Sequence, residues 1–427
     1  MYAKWRWIAR RIFKRIWFRA TLFSLLGVVS ALVSVGLRQY IPDSMSTKIG
    51  ADAVDNILGI IASSMLAVTT FSLSTMVSAY GSATGNATPR ATSLLVEDAT
   101  TQNALSAFIG SFLFSLVGII TLSTGAYGSK GRVVLFIVTI GVIILIVYTL
   151  LTWIDHLSRL GHLGETTDRV EGAAKGAIMD RARRPYMGGR AFPAGSSLPL
   201  TARPLYARKI GYVQLIDMPS LRKISDKTSG HIYVHAIPGT FAETTMPIAW
   251  VDDIDAHQEE GIIAAFVIGT RRSYEQDPRF GVSVMAEIAS RALSPAVNDP
   301  GTAIDVIGRG IRVFSLLANP GDAPPKSPEC ARVFVRGIDL QDVFDDFFAP
   351  IARDGAGTVE VGMRLQKALA ALARIDSPGF RLAAQRHSAL ALQRAEMALS
   401  LESDKTRLRS LQVRSQDEFG NIASWRQ

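Results

Sequence analysis

The sequence predicts a membrane protein: an α-helical bundle of four transmembrane helices followed by a cytoplasmic α+β domain with a small β-rich module. Three observations predict it. Asn56 to Pro89 is a run of 34 residues without one charged side chain, more than enough to cross a hydrocarbon core of ~30 Å. Hydrophobic residues make up 48% of the 427-residue chain and mean hydropathy is positive, the composition of a membrane protein with a sizeable soluble part. Seven cations, Lys4, Arg6, Arg10, Arg11, Lys14, Arg15 and Arg19, precede the first apolar run, which places the amino terminus in the cytoplasm under the positive-inside rule.

Those seven cations supply most of the net charge of +9. The remainder of the chain is near neutral, which argues against a nucleic-acid partner. The single cysteine, Cys330, excludes an intrachain disulfide and any Cys-rich metal or redox motif.

Residues 1–19 have Trp5, Ile8, Ile12 and Ile16 at helical spacing with cations between them. This is a basic interfacial helix suited to anionic headgroups, with Trp7 and Trp17 at the boundary. A secretory signal is disfavoured, because the following apolar run is longer than an h-region and lacks a clear cleavage site. Residues 20–155 form the membrane domain, with spans at Ala20–Leu37, Ile57–Ser82, Asn103–Ala126 and Val133–Trp153. Four spans return the chain to the cytoplasm, and Arg159, Arg169, Lys175 and Arg181 agree, whereas Lys130 and Arg132 in the short outer loop are mildly contrary. The expected location is the bacterial inner membrane with both termini cytoplasmic.

The second span carries nine Ser or Thr residues between Ile57 and Ser82. At about 100° per residue all but Thr69 and Ser72 share an arc of roughly 140°, joined by Ala67 and Gly81, while Leu58, Met65, Leu66, Leu73, Met76 and Tyr80 gather opposite. Such a face serves either as a close-packing seam between helices or as the lining of a water-filled path. For the helix alone the seam carries more weight. Ser63, Thr70, Ser74 and Ser78 are the candidate pore-lining residues.

Residues 156–204 read as a helical extension of the fourth span toward Arg184, then a Pro- and Gly-bearing linker. Residues 205–270 read as a β-rich module, with strands at Tyr212–Ile216, His231–Ile237, Met246–Val251 and Ile262–Ile268. Residues 271–427 read as mainly helical, with segments from Val282, Leu340–Ile351, Thr358–Ile375 and Gly379–Leu411. In the last segment Leu390, Met397, Leu401 and Leu408 are spaced as one apolar stripe for a subunit or domain contact.

No catalytic motif is visible, and no cofactor or metal is implied. His231 and His235 sit four apart on a strand, about 13 Å along the chain, too far to share a metal. The acid-rich loop DDIDAHQEE lacks calcium-loop spacing. The densest polar stretch is GTRRSYEQDPRFG followed by RALSPAVNDPGTA. Arg271, Arg272, Arg279 and Arg291 can meet an anion there, with Asn298, Asp299 and Thr302 at a helix start. Equally, the arginines can pair with Glu275, Asp277 and Glu287 while Asp299 caps.

Four stretches carry a resemblance: TPRATSLLVEDATTQNALSAFIGSFLFSL at Thr88–Leu116, IGYVQLIDMPSL at Ile210–Leu221, IPGTFAETTMPIAWV at Ile237–Val251, and IGTRRSYEQDPRFGVSVMAEIASRALSPAVNDPGTAID at Ile268–Asp305. In this order the chain resembles the bacterial predicted membrane proteins with domain of unknown function 2254. The resemblance implies a multi-span region followed by a soluble domain, and it implies no activity. The chain as a whole supports a homo-oligomeric inner-membrane channel or conduit lined by the second span, since one hydroxyl face cannot enclose water alone. A membrane-anchored scaffold, or a sensor whose cytoplasmic domain takes an ion or small anionic ligand, is the alternative.

Overall fold

The computed structural model describes residues 16–36, 51–96, 98–125, 127–193, 198–319 and 327–412. The expected interfacial helix at 1–19 therefore lies almost wholly outside the described residues. The chain divides into two compact units, one of membrane-type helices and one formed by residues from Thr167 onward together with Asn86–Ala91.

The first unit contains the long helices α1 (Ile16–Gly36), α2 (Ala51–Asn86), α4 (Ala99–Ser123) and α5 (Gly128–Arg159), with part of the short α3 (Pro89–Val96). Among the described residues three stretches, Ala53–Gly85, Ala99–Ser123 and Lys130–Arg159, are long and apolar enough to cross a membrane. The sequence predicts four spans. The first expected one folds as the 21-residue helix α1, of which the fully described apolar part is Trp17–Val29.

Glycines let α1 and α4 approach closely. A Cβ on Gly27 would stand 2.6 Å from the Gly110 carbonyl oxygen, and one on Gly110 2.9 Å from that of Phe23, the small-residue contact by which membrane helices pack. The interior is filled by Leu58, Phe114 and Leu135 in one cluster and by Met65, Phe108 and Trp153 in another. Helix α4 is the hub, with 56% of its apolar window buried, whereas only 22% of that of α2 is covered.

Asp98 caps α4, accepting from Thr101 N at 2.8 Å, and its carboxylate lies 2.9 Å from His156 Nε2 near the end of α5. The sequence predicts α5 as one helix toward Arg184. Instead it stops at Arg159, because Gly161 adopts a left-handed φ of +85°, and α6 (Leu163–Arg183) starts afresh.

The second unit is built on two sheets. One has the order β1-β8-β4-β6-β2, with β1 (Arg190–Ala191), β8 (Val333–Val335) and β4 (His231–Val234) mutually parallel and β6 (Pro247–Asp252) and β2 (Arg203–Tyr206) antiparallel. The other has β3 (Gly211–Ile216) between β5 (Phe241–Ala242) and β7 (Phe266–Gly269). Ile232, Val234, Ala249, Val251, Val333 and Val335 alternate inward and are buried.

Three expectations change here. The linker at 184–204 supplies β1 and part of β2. The predicted strand Ile262–Ile268 begins as the end of α8 (Ala256–Ile263), so only its second half pairs, as β7. The boundary at 270 does not divide the fold, because β8 returns from the helical region to the sheet.

Helices α7 (Met218–Thr228) and α8 accompany the sheets. The helical part comprises α9 (Pro278–Ala292), α10 (Pro300–Ala318), α11 (Leu340–Asp354), α12 (Val359–Ala373), α13 (Pro378–Ala398) and α14 (Glu402–Leu411). Its centre is aromatic, with Phe314 5.4 Å from Phe348 and 4.8 Å from Phe344 between ring centroids. The expected stripe does not form, because the helix breaks between Ala398 and Glu402. Met397 and Leu401 are exposed, Leu408 is buried, and α13 packs through the small residues Ala383, Ala384, Ser388 and Ala391.

Candidate functional site

The loop from Arg271 to Asp277 and helix α9 organise the polar centre of the second unit. Asp277 caps α9, its Oδ1 accepting from Arg279 N and Phe280 N, each at 3.1 Å. Arg272 forks onto the same carboxylate through Nε at 2.7 Å and Nη2 at 2.9 Å, and its guanidinium lies 5.2 Å from the Phe280 ring centroid. Gly239, with φ +97°, makes room for this carboxylate: a Cβ there would come within 2.6 Å of Asp277 Oδ2. Beneath the cap Arg181 is buried, and burial holds its guanidinium down to about 10 against the pull of Asp277.

Nearly three turns along α9, Glu287 receives the segment that leaves α2. Its Oε1 accepts from Arg90 Nη1 at 2.6 Å and its Oε2 from the Thr88 hydroxyl at 3.0 Å, while Tyr274 donates to the Arg90 carbonyl at 3.1 Å. Burial, then the neighbouring Glu287 charge, push the Tyr274 phenol above its ordinary range. Thr88 also accepts from Arg90 N at 3.1 Å, with Pro89 opening α3. Thus the Thr88–Pro89–Arg90 turn and the stretch around Glu287, both singled out by the sequence, meet as a clamp.

The proposed anion-site residues do not converge. Arg271 is exposed and offers its carbonyl to Gln214 Nε2 at 2.6 Å. Arg279 reaches Asp342 at 2.5 Å and Asp346 at 2.6 Å in α11. Arg291 lies exposed in the last turn of α9, about 18 Å of helix from Arg279. Asn298, at φ +51°, leads into Asp299, which caps α10 by accepting from Thr302 N at 3.0 Å and its hydroxyl at 2.5 Å. Those hydrogen bonds hold the Asp299 carboxyl below its ordinary range. Pairing and capping describe these residues. Asp342 and Asp346 lie in the predicted helical segment Leu340–Ile351, and nothing in sequence joins them to Arg279.

In the membrane-type unit, Val54, Leu58, Ile61, Met65, Ser72, Met76 and Ala83 turn α2 toward the bundle, all buried. Ser72 accepts from Trp153 Nε1 at 2.9 Å. Ser63, Thr70, Ser74 and Ser78 fall on the opposite side and are exposed, as are Ala67, Gly81 and Gly85. Ser63 donates to the Gly59 carbonyl at 3.0 Å and Thr70 to that of Leu66 at 2.9 Å, so these two hydroxyls are satisfied within the helix. Among the described residues no cluster of three or more His, Cys, Asp or Glu side chains forms a metal site.

Comparison with known proteins adds relatives without an assigned activity. An uncharacterized protein of Mycobacterium bovis and one of Mycobacterium tuberculosis H37Rv are each 25% identical over 327 residues, covering 73% of this chain. The chain spans 62% of the length of these relatives. No solved structure matches. The family model described as predicted membrane protein DUF2254 matches residues 14–371, and the chain belongs to that family.

Proposed function

We propose that this membrane protein acts as a conduit assembled from several copies, with the small, hydroxyl-bearing side of α2 facing the shared axis. The observation that carries this reading is the division of α2. Val54, Leu58, Ile61, Met65 and Met76 are committed to the bundle, and the Ser63–Thr70–Ser74–Ser78 side is uncovered in a single copy, together with Ile60, Leu66, Phe71, Leu73 and Val77. A strip of Gly, Ala, Ser and Thr suits close helix approach, and hydroxyls without charge suit a wetted lining. The clamp of Glu287 on Thr88 and Arg90 supports a role for the second unit in setting the position of the chain where it leaves α2.

Disulfide trapping tests the assembly. In a Cys330→Ser background, Ser74→Cys is expected to give an intermolecular disulfide on mild oxidation in native membranes, and Ser72→Cys, enclosed within its own copy, is expected to give none. Absence of cross-linking at all four hydroxyl positions would contradict the proposal.

A further inference from the structure

The second unit contains a cleft of about 470 Å³ that no residue of the clamp enters, within the range of small-molecule sites. Its floor is apolar and sulfur-rich: Met187, Met218, Pro219 and Cys330, with Met218 and Cys330 buried. Its rim carries Arg184, Arg222 and Lys223 against Asp226 and Glu329. Arg222 is engaged by Asp226 at 3.4 Å. Among the described residues no acid pairs with Arg184 or Lys223, so the rim keeps a surplus of positive charge.

The wall is fixed by backbone. Met187 and Gly188 are consecutive left-handed residues at φ +56° and +87°. Met187 N donates to the Arg184 carbonyl at 2.9 Å, Gly189 N to that of Tyr186 at 2.8 Å, and the Gly188 carbonyl accepts from Cys330 N at 2.9 Å. A left-handed methionine costs roughly 1–2 kcal/mol, and such strain persists where the surroundings enforce it, commonly at ligand sites. The turn therefore holds the sulfur floor in place beside the cationic rim.

We propose that this cleft binds an anionic amphiphile, with a phosphate or carboxylate head between Arg184 and Lys223 and an apolar body on Met187, Met218, Pro219 and Cys330. A bare anion would leave the floor wet, and a neutral apolar molecule would leave the cations without a partner. The inference is independent of the conduit reading and involves no residue of α2.

Cys330, the one cysteine of the chain, reports on the floor. The test measures the rate at which methyl methanethiosulfonate modifies it in the full-length protein in phosphatidylcholine nanodiscs. Hexyl phosphate is expected to slow modification saturably, whereas hexanol and inorganic phosphate at the same concentration are not. In Arg184→Gln and Lys223→Gln, whose side chains are exposed, the protecting concentration should rise about tenfold with the unliganded rate unchanged. Nanodiscs containing lysophosphatidate separate the sources: protection without added ligand assigns the site to a lipid, and protection by added hexyl phosphate alone assigns it to a soluble amphiphile. Equal protection by hexanol, no protection at all, or protection insensitive to both substitutions would overturn the proposal.

Discussion

Among single residues, Glu171 in α6 makes the most consequential contacts. Its carboxylate is almost enclosed and accepts from Arg312 at 2.7 Å and 2.8 Å, from Lys175 at 2.8 Å and from Arg309 at 2.8 Å. Burial opposes its ionisation, but the hydrogen bonds and charges of Arg312 and Lys175 outweigh that and hold it down to about 2. Because the folded value lies below the unfolded one, the stabilisation is complete above about pH 4.5 and is lost as pH falls toward 2. Glu171→Gln should therefore cost on the order of 2 kcal/mol at pH 7 and less than half as much at pH 3, read as the difference in thermal midpoint between variant and parent at each pH. In sequence Glu171 is one charge within the predicted helical extension. Its arginine partners, Arg309 and Arg312, lie more than 130 residues away on α10, a distance that no local pattern bridges.

At the scale of elements, α2 was the most legible part of the chain and still held a surprise. Charge-free length marked it as a span, and the helical wheel separated its hydroxyls from Leu58, Met65 and Met76, which meet the bundle, and from Leu66 and Leu73, which are exposed. Ser72, one of two hydroxyls outside the arc, turns inward to Trp153. Ser72→Val should leave a buried indole N–H without an acceptor and destabilise the protein by about 1–3 kcal/mol. Ser74→Val, on the uncovered side, should change the thermal midpoint little in detergent. Equal effects would place both residues in the same environment. The start of α10 was legible for a different reason: Asp299-Pro300 is a local signal and Asp299 caps as it directs, whereas α9 begins at Pro278, ahead of the expected Val282, with Asp277 as its cap. The break after α13 was not legible, because Leu399 and Leu401 are ordinary helix formers; beyond it Leu408 packs at Gly362.

At the scale of the molecule, apolar helices and a separate sheet-bearing part were legible, and strands β1, β2 and β8 of that part were not. Strand β8 has three residues, too few for a periodic signal, and it joins β4 in parallel after nearly a hundred intervening residues. Strands β1 and β2 are short and lie in a stretch whose Pro and Gly suggest a linker. The pairing of Thr88 and Arg90 with Glu287 joins two motifs nearly 200 residues apart. Each sequence signal was present, and only the fold brings them together.

The central claim is that the exposed side of α2 borders a water-filled path between copies. Its most direct test replaces Cys330 by Ser, places single cysteines at Ser63, Thr70, Ser74 and Ser78 with Leu73 as control, and measures labelling by a membrane-impermeant thiol reagent in intact membranes. The account predicts rapid labelling along the hydroxyl face and none at Leu73. Silence at all four hydroxyl positions would contradict it and identify the strip as a dry seam.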